Sequence, residues 1–333
     1  MRKREITTSS QKILSDKKIA VLGYGSQGSA QAKNLRDSGF NPVIGLPAGS
    51  GSRKTARKDR FEIYTPLRAI EKSDLIAVLI PDHKHKTLFN SVPDSLLSGK
   101  TLVFAHGLSI HFGLVKPPSD CDVILVAPHG PGIRLREKYL TGEPFTAFVG
   151  VGNDASGKAG KTARAYAEAI GCPPKYQFKS TFRDEAVGDI FGEQAVLCGG
   201  LAGLMESGFE TLLKKGFSEE AAYLECIYQI DLIIDLIKKF GPAGMFERIS
   251  VTAAFGSLRK KDSLFGKDFY KKLDDLYKEV ESGRFARQLQ KDSGKDMPEY
   301  KRLLSKSRDS KLQKAHDSLA KKLRRRSPGS GRR

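Results

Sequence analysis

No run of 18 consecutive apolar residues occurs in this 333-residue chain, so the sequence offers no membrane-spanning helix. Its first residues, MRKREITTSSQKILSDKK, lack the apolar core of a secretory signal. Cysteine is scarce. Cys121, Cys172, Cys198 and Cys226 show no metal-ligand spacing, and reduced, buried thiols in a cytoplasmic protein are the expected state. Acidic residues are outnumbered, 38 against 57 basic, for a net charge of +19. The excess lies near the end, where residues 259–333 hold 24 basic and 11 acidic side chains, a net +13. The chain closes on KKLRRRSPGSGRR, whose last residues, 326–333, read as a disordered basic tail. Such a tail could touch polyanions without selectivity. With no aromatic interleaving and no nucleic-acid motif, no specific nucleic-acid partner is expected. What remains is globular in composition, 39% apolar and 29% charged, and long enough for two domains with ample core.

The first half carries the pattern of a dinucleotide-binding fold. Lys18-Ile-Ala-Val-Leu is a buried strand, Gly23-Tyr24-Gly25-Ser26-Gln27-Gly28 a G-x-G-x-x-G turn, and AQAKNLRDSGF the helix behind it. That chemistry needs backbone N–H groups close to a pyrophosphate at the positive end of a helix. Further strands are expected at 41–46, 73–81, 100–107 and 121–132, and their spacing implies a doubly wound parallel sheet. The end of the second strand selects the cofactor. An acid there would bind a ribose 2′-hydroxyl, yet the chain has Leu46-Pro-Ala-Gly-Ser50-Gly-Ser52-Arg53-Lys54 and no acid before Asp59. Hydroxyls and cations suit a 2′-phosphate and so NADP(H); the competing reading is a basic solvent loop.

From about residue 180 onward the periodicity is helical, with long segments at 191–215 and 218–240, a stop at Gly216, and amphipathic segments at 268–282 and 299–326. Two polar pairs with i,i+4 spacing lie in this half: Asp189 with Glu193, and Glu225 with Gln229. Each points two oxygen donors at one place, among apolar neighbours where an uncompensated carboxylate is costly. One or two Mg²⁺ ions would offset that cost; solvated helix faces are the alternative. The expected domains are 1–180, an NADP-binding Rossmann domain, 181–325, all-α, and the tail at 326–333.

Six segments resemble the ketol-acid reductoisomerases of the short class: GYGSQGSAQAKNLRDSG (23–39), FAHGLSIHFG (104–113), APHGPGIRLREKYLTGEPF (127–145), FGEQAVLCGGL (191–201), AAYLECIYQIDLIIDLIKKFG (221–241) and ISVTAAFG (249–256). They keep family order and spacing. The resemblance implies an enzyme that rearranges 2-acetolactate or 2-aceto-2-hydroxybutyrate with Mg²⁺ and reduces the product with NADPH, on the way to valine, leucine and isoleucine. It also implies a knotted helical domain and sites formed between the subunits of a homodimer or higher homo-oligomer, with a small keto or hydroxy acid as substrate and no membrane. By motif, Gly23 to Gly28 would hold the pyrophosphate, and Ser50, Ser52 and Arg53 the 2′-phosphate. Asp82 and Gly132 would lie beside the cofactor, and His106 and His129 would be catalytic. Asp189, Glu193, Glu225 and Gln229 would be the metal set, and Ser250 would bind the substrate carboxylate. Four positions depart from the family pattern: His129 replaces a lysine, Gln229 a glutamate, Ala254 an acid and Pro47 a basic residue. An imidazole titrates near neutrality where a lysine stays charged, and an amide removes one negative charge from a cation site.

Overall fold

The computed structural model describes residues 6–326, with side chains described to residue 322. Of the expected tail at 326–333, all but Arg326, the last residue of a helix, lies outside them. The chain divides into two compact units, Met1–Asp189 and Ile190–Arg333. The division falls nine residues after the expected boundary because the first unit also takes the start of the helix Phe182–Gly192, whose Phe182 is buried in that unit's core.

The first unit is built on one eight-stranded sheet: β1 (Ile19–Leu22), β2 (Val43–Gly45), β3 (Ile63–Tyr64), β4 (Leu75–Val78), β5 (Thr101–Phe104), β6 (Asp122–Pro128), β7 (Ala147–Asn153) and β8 (Gln177–Lys179). Their order is β3-β2-β1-β4-β5-β6-β7-β8. Every neighbouring pair is parallel except β6 and β7, which run antiparallel, so the doubly wound sheet is parallel-dominant rather than wholly parallel. The central strands are apolar without interruption because both faces are covered. Side-chain alternation then deals successive residues to opposite layers. Ile19, Val21, Leu75, Ala77, Val103, Ile124 and Val126 join one core, and Ala20, Leu22, Ile76, Val78, Leu102, Phe104 and Leu125 the other. The expected strands at 18–22, 41–46, 73–81, 100–107 and 121–132 appear as β1, β2, β4, β5 and β6. The short β3 and β8 and the seven-residue β7 had no expected counterpart.

The second unit is helical. Its first long stretch, Phe182–Lys214, starts in the first unit and is interrupted by a π-helical turn at Glu193–Leu197. The next is interrupted likewise at Leu224–Tyr228, between Glu219–Tyr223 and Ile230–Phe246, and the last of these is itself broken at Gly241, φ 74°, just before Pro242. Gly216 stops the first as expected, at φ 89°, with Phe217 N–H returned to the Leu212 carbonyl. The expected helix at 299–326 is two helices, Pro298–Arg308 and Lys311–Arg326. A small core joins Phe209, Ala222, Tyr223 and Ala315, and the Tyr223 hydroxyl lies 2.6 Å from His316 Nδ1. Large apolar side chains stay exposed on this unit, among them Leu197, Leu204, Leu232 and Phe255. By length and composition Phe182–Lys214 could cross a membrane, although no unbroken apolar run of 18 residues exists. The difference arises because its few charged residues are spaced within an otherwise apolar stretch.

Candidate active site

The crevice beyond the carboxyl ends of parallel strands is where α/β folds bind ligands, and there the first unit gathers its candidates. The glycine turn follows β1. A Cβ on Gly28 would stand 2.4 Å from the Gly23 carbonyl oxygen, and one on Gly23 2.6 Å from that of Leu79, so both positions require glycine. A Cβ on Gly25 would meet nothing within 4 Å. That open space adjoins the start of the helix Ser26–Asp37, a place a pyrophosphate fits.

The side chains of the turn point elsewhere. Tyr24 is buried, its phenol donating to Asp59 Oδ2 at 2.8 Å and its ring edge-on to Phe61, so this residue offers a ligand only its backbone. Ser26 Oγ accepts from Gly132 N–H at 3.0 Å, and Gln27 Nε2 donates to the Gly130 carbonyl at 2.8 Å. These two bonds tie the phosphate turn to the loop after β6. Past β2, Ser50 lies in a turn, Ser52 opens the helix Ser52–Lys58, and Arg53 Nη1 donates to the Leu46 carbonyl at 2.8 Å.

Asp82 follows β4, His106 follows β5 and His129 follows β6. His106 Nε2 is 3.0 Å from Asp189 Oδ2, and its Nδ1 is 4.0 Å from Asp82. In the neutral ring Nδ1 accepts the Leu108 N–H at 3.2 Å, which leaves its one proton on Nε2, facing Asp189; the imidazolium carries a proton on both nitrogens and keeps the contact of Nε2 with Asp189. Burial alone would lower the His106 pKa, but the hydrogen bond to Asp189 and the charges of Glu185, Asp82 and Asp189 raise it to about 9. Glu185 was not anticipated. It is buried, accepts the Gly107 N–H, and is pushed up to about 7 by burial, against the opposing pull of His106 and that N–H. A Cβ on Gly107 would strike the Phe182 carbonyl at 2.2 Å and Glu185 at 2.9 Å, so glycine there lets the loop reach the helix. The signal in the sequence was Glu185 standing four residues before Asp189, one turn below the pair already singled out.

His106, Glu185 and Asp189 bring ligand atoms within 4.8 Å of one another, a group that could hold a metal ion. His129 packs edge-on to Phe148 at 4.3 Å between ring centroids, with Nδ1 3.2 Å from Thr146 Oγ1. Burial lowers its pKa, with Asp189 opposing, which favours the neutral ring where a lysine would carry charge.

In the second unit, Glu193 opens the first π turn, Glu225 lies within the second, and Gln229 follows it with Nε2 3.3 Å from the Leu224 carbonyl. π turns are often found at functional sites. Ser250 caps the helix Val251–Leu264, its Oγ accepting from Ala253 N–H at 3.2 Å, which leaves the hydroxyl proton free to donate.

Two family models match the chain: "Acetohydroxy acid isomeroreductase, NADPH-binding domain" over residues 13–175 and "Ketol-acid reductoisomerase, C-terminal domain" over residues 182–325. The chain is 40% identical over 309 residues to a ketol-acid reductoisomerase (NADP(+)) of Kineococcus radiotolerans, covering 92% of this chain and 90% of that one. A solved NADH-preferring ketol-acid reductoisomerase from an uncultured archaeal source is 37% identical, with a TM-score of 0.89, covering 93% of this chain and 96% of that one. An NAD-binding semialdehyde dehydrogenase protein from Cupriavidus necator, 17% identical with a TM-score of 0.60, covers 80% of this chain and 99% of its own and shares the fold alone.

Proposed function

The chain belongs to the ketol-acid reductoisomerase family, and from that premise we propose that it converts 2-acetolactate to 2,3-dihydroxy-3-methylbutanoate with NADPH and Mg²⁺, in the synthesis of branched-chain amino acids. The observation that carries this reading is the cluster of His106, Glu185 and Asp189 at the strand ends that also present the open turn at Gly25. The backbone of residues 23–28 would take the pyrophosphate, and Ser50, Ser52 and Arg53 the 2′-phosphate. Because one relative prefers NADH, the ratio of kcat/KM for NADPH over NADH is the direct test, and a value above one is expected.

Asp189, Glu193, Glu225 and Gln229 supply oxygen donors, the set that suits Mg²⁺. Cations held by these residues would supply Lewis acidity for the substrate's carbonyl and hydroxyl oxygens. His106 holds a proton on Nε2 beside Asp189 and would exchange it with a substrate oxygen. Glu185, beneath it, keeps a proton near neutrality. Ser250 would donate its hydroxyl to the substrate carboxylate. The exposed apolar side chains of the second unit would be covered by a second copy of the chain.

A second reading, a keto-acid reductase without isomerase activity, draws on Gln229, which takes one negative charge from the cation set, and on His129, whose lowered pKa takes away the positive charge of the family lysine. Purified protein given NADPH and Mg²⁺ should consume both acetolactate and 3-hydroxy-3-methyl-2-ketobutyrate. Turnover of the keto acid alone would support the second reading, and turnover of neither would support a non-catalytic NADP-binding protein. Gln229→Glu with His129→Lys is expected to raise acetolactate turnover by about tenfold, the effect of one added favourable charge interaction of about 1.4 kcal/mol. An unchanged rate counts against the isomerase.

A further inference from the structure

His85 stands at the start of the short helix His85–Asn90, on the chain that leaves β4, and is only 3% exposed. Its Nε2 lies 3.0 Å from the Ile80 carbonyl and its Nδ1 2.8 Å from Ser109 Oγ, a hydroxyl that is itself fully buried. A carbonyl can only accept, so Nε2 carries the proton and Nδ1 accepts from Ser109. The ring sits edge-on to Phe104, the last residue of β5, and Nδ1 is 3.8 Å from Asp82. Ile80 and Asp82 belong to the loop after β4; Ser109 belongs to the turn after β5 that carries His106 and the Leu108 N–H on its Nδ1. Beyond their carboxyl ends β4 and β5 share no ladder bonds. His85 therefore bonds to both loops where the sheet no longer joins them.

We propose that His85, through its bonds to Ile80 and Ser109, is a positioning residue that holds the loop of Asp82 and the turn of His106 in one fixed arrangement. This rests on the reductoisomerase reading for its kinetic consequence, though not for its structural one. A buried imidazole with both nitrogens bonded has one tautomer and one orientation, and passes that rigidity to both loops. The consequence belongs to the chemical step, where small displacements of a proton-holding group are costly, rather than to the glycine turn.

Three variants test it. Ser109→Ala breaks only the bond between the loops. His85→Phe keeps the bulk of the ring and removes both bonds. His85→Gln offers one donor and one acceptor. Ser109→Ala and His85→Phe are expected to lower kcat about tenfold while the dissociation constant for NADPH stays within about twofold, and His85→Gln to recover most of the loss. In ¹⁵N–¹H spectra of the imidazoles, His85 should show the neutral Nε2–H tautomer, and the His106 signals should move in Ser109→Ala. Unchanged kcat with unmoved His106 signals overturns the proposal, as does a glutamine variant no better than the phenylalanine one. Should the wild-type chain turn over neither substrate, the reductoisomerase reading fails separately and the spectra decide the role of His85. If His85→Phe does not fold, Ser109→Ala carries the test.

Discussion

Glu185 and His106 compete for a proton beside Asp189, and that contest sets a pH dependence. Both folded pKa values are raised, His106 from 6.5 to about 9 and Glu185 from 4.5 to about 7. A raised value means the folded state binds the proton more tightly, so the contribution is whole below the unfolded pKa and is lost as pH rises through the folded one. Glu185 loses its share between about pH 4.5 and 7, and His106 between about 6.5 and 9. Each is worth on the order of 3 kcal/mol alone, and less together because the groups are coupled. Metal-free protein is expected to lose stability to urea steadily from pH 5 to pH 9. Glu185→Gln, which keeps an acceptor for the Gly107 N–H, should flatten the lower part of that slope. Identical slopes in the two proteins would show that Glu185 is not the group that titrates. His106 and Asp189 were legible in the sequence through motif and spacing. Glu185 was legible in principle, by the same spacing. His85 was not, because nothing in PDHKHK distinguishes its buried histidine from its exposed charges.

Among the elements, the β-strands whose alternation feeds two cores were readable, since burial on both faces leaves uninterrupted apolar runs. β3 and β8, two and three residues long, were too short to carry a pattern, and the antiparallel β7 is interrupted by glycines. The π turns were hidden for a different reason: the sequence around them is compatible with a continuous α-helix. A trace does exist in Gly199-Gly200. A Cβ on Gly200 would stand 2.0 Å from the Ala195 carbonyl, and one on Gly199 2.5 Å from that of Gln194, because the wider turn presses those carbonyls inward. Gly200→Ala is therefore expected to destabilise the second unit by about 1–3 kcal/mol, the range of an overpacked site. Chemical denaturation would measure it, and a gain in stability, as for glycine replaced in an ordinary exposed helix, would mean that the turn is absent in solution.

At the scale of the whole molecule, the helix Phe182–Lys214 is long, apolar and only 6% buried across its most apolar window in a single chain. A monomer seldom exposes that much apolar surface. Sedimentation should find a dimer or larger assembly, and Leu204→Glu, at a position 58% exposed, should shift it toward monomer with a loss of acetolactate turnover. A wild-type chain that sediments as a monomer without detergent would refute this. The general plan, a dinucleotide fold followed by helices, was available from the sequence. The extent of uncovered surface was not, since periodicity marks a face as apolar without saying what lies against it.

The π turn at Glu193–Leu197 also has a genetic meaning. It is one amino acid more than an α-helix needs to cover the same rise. Deleting a single codon there would leave composition and hydrophobicity almost untouched and allow a regular helix, yet every residue downstream would swing by about 100° around the axis. The same apolar side chains would then face a different direction. In this stretch a one-residue gap should be less tolerated than most substitutions.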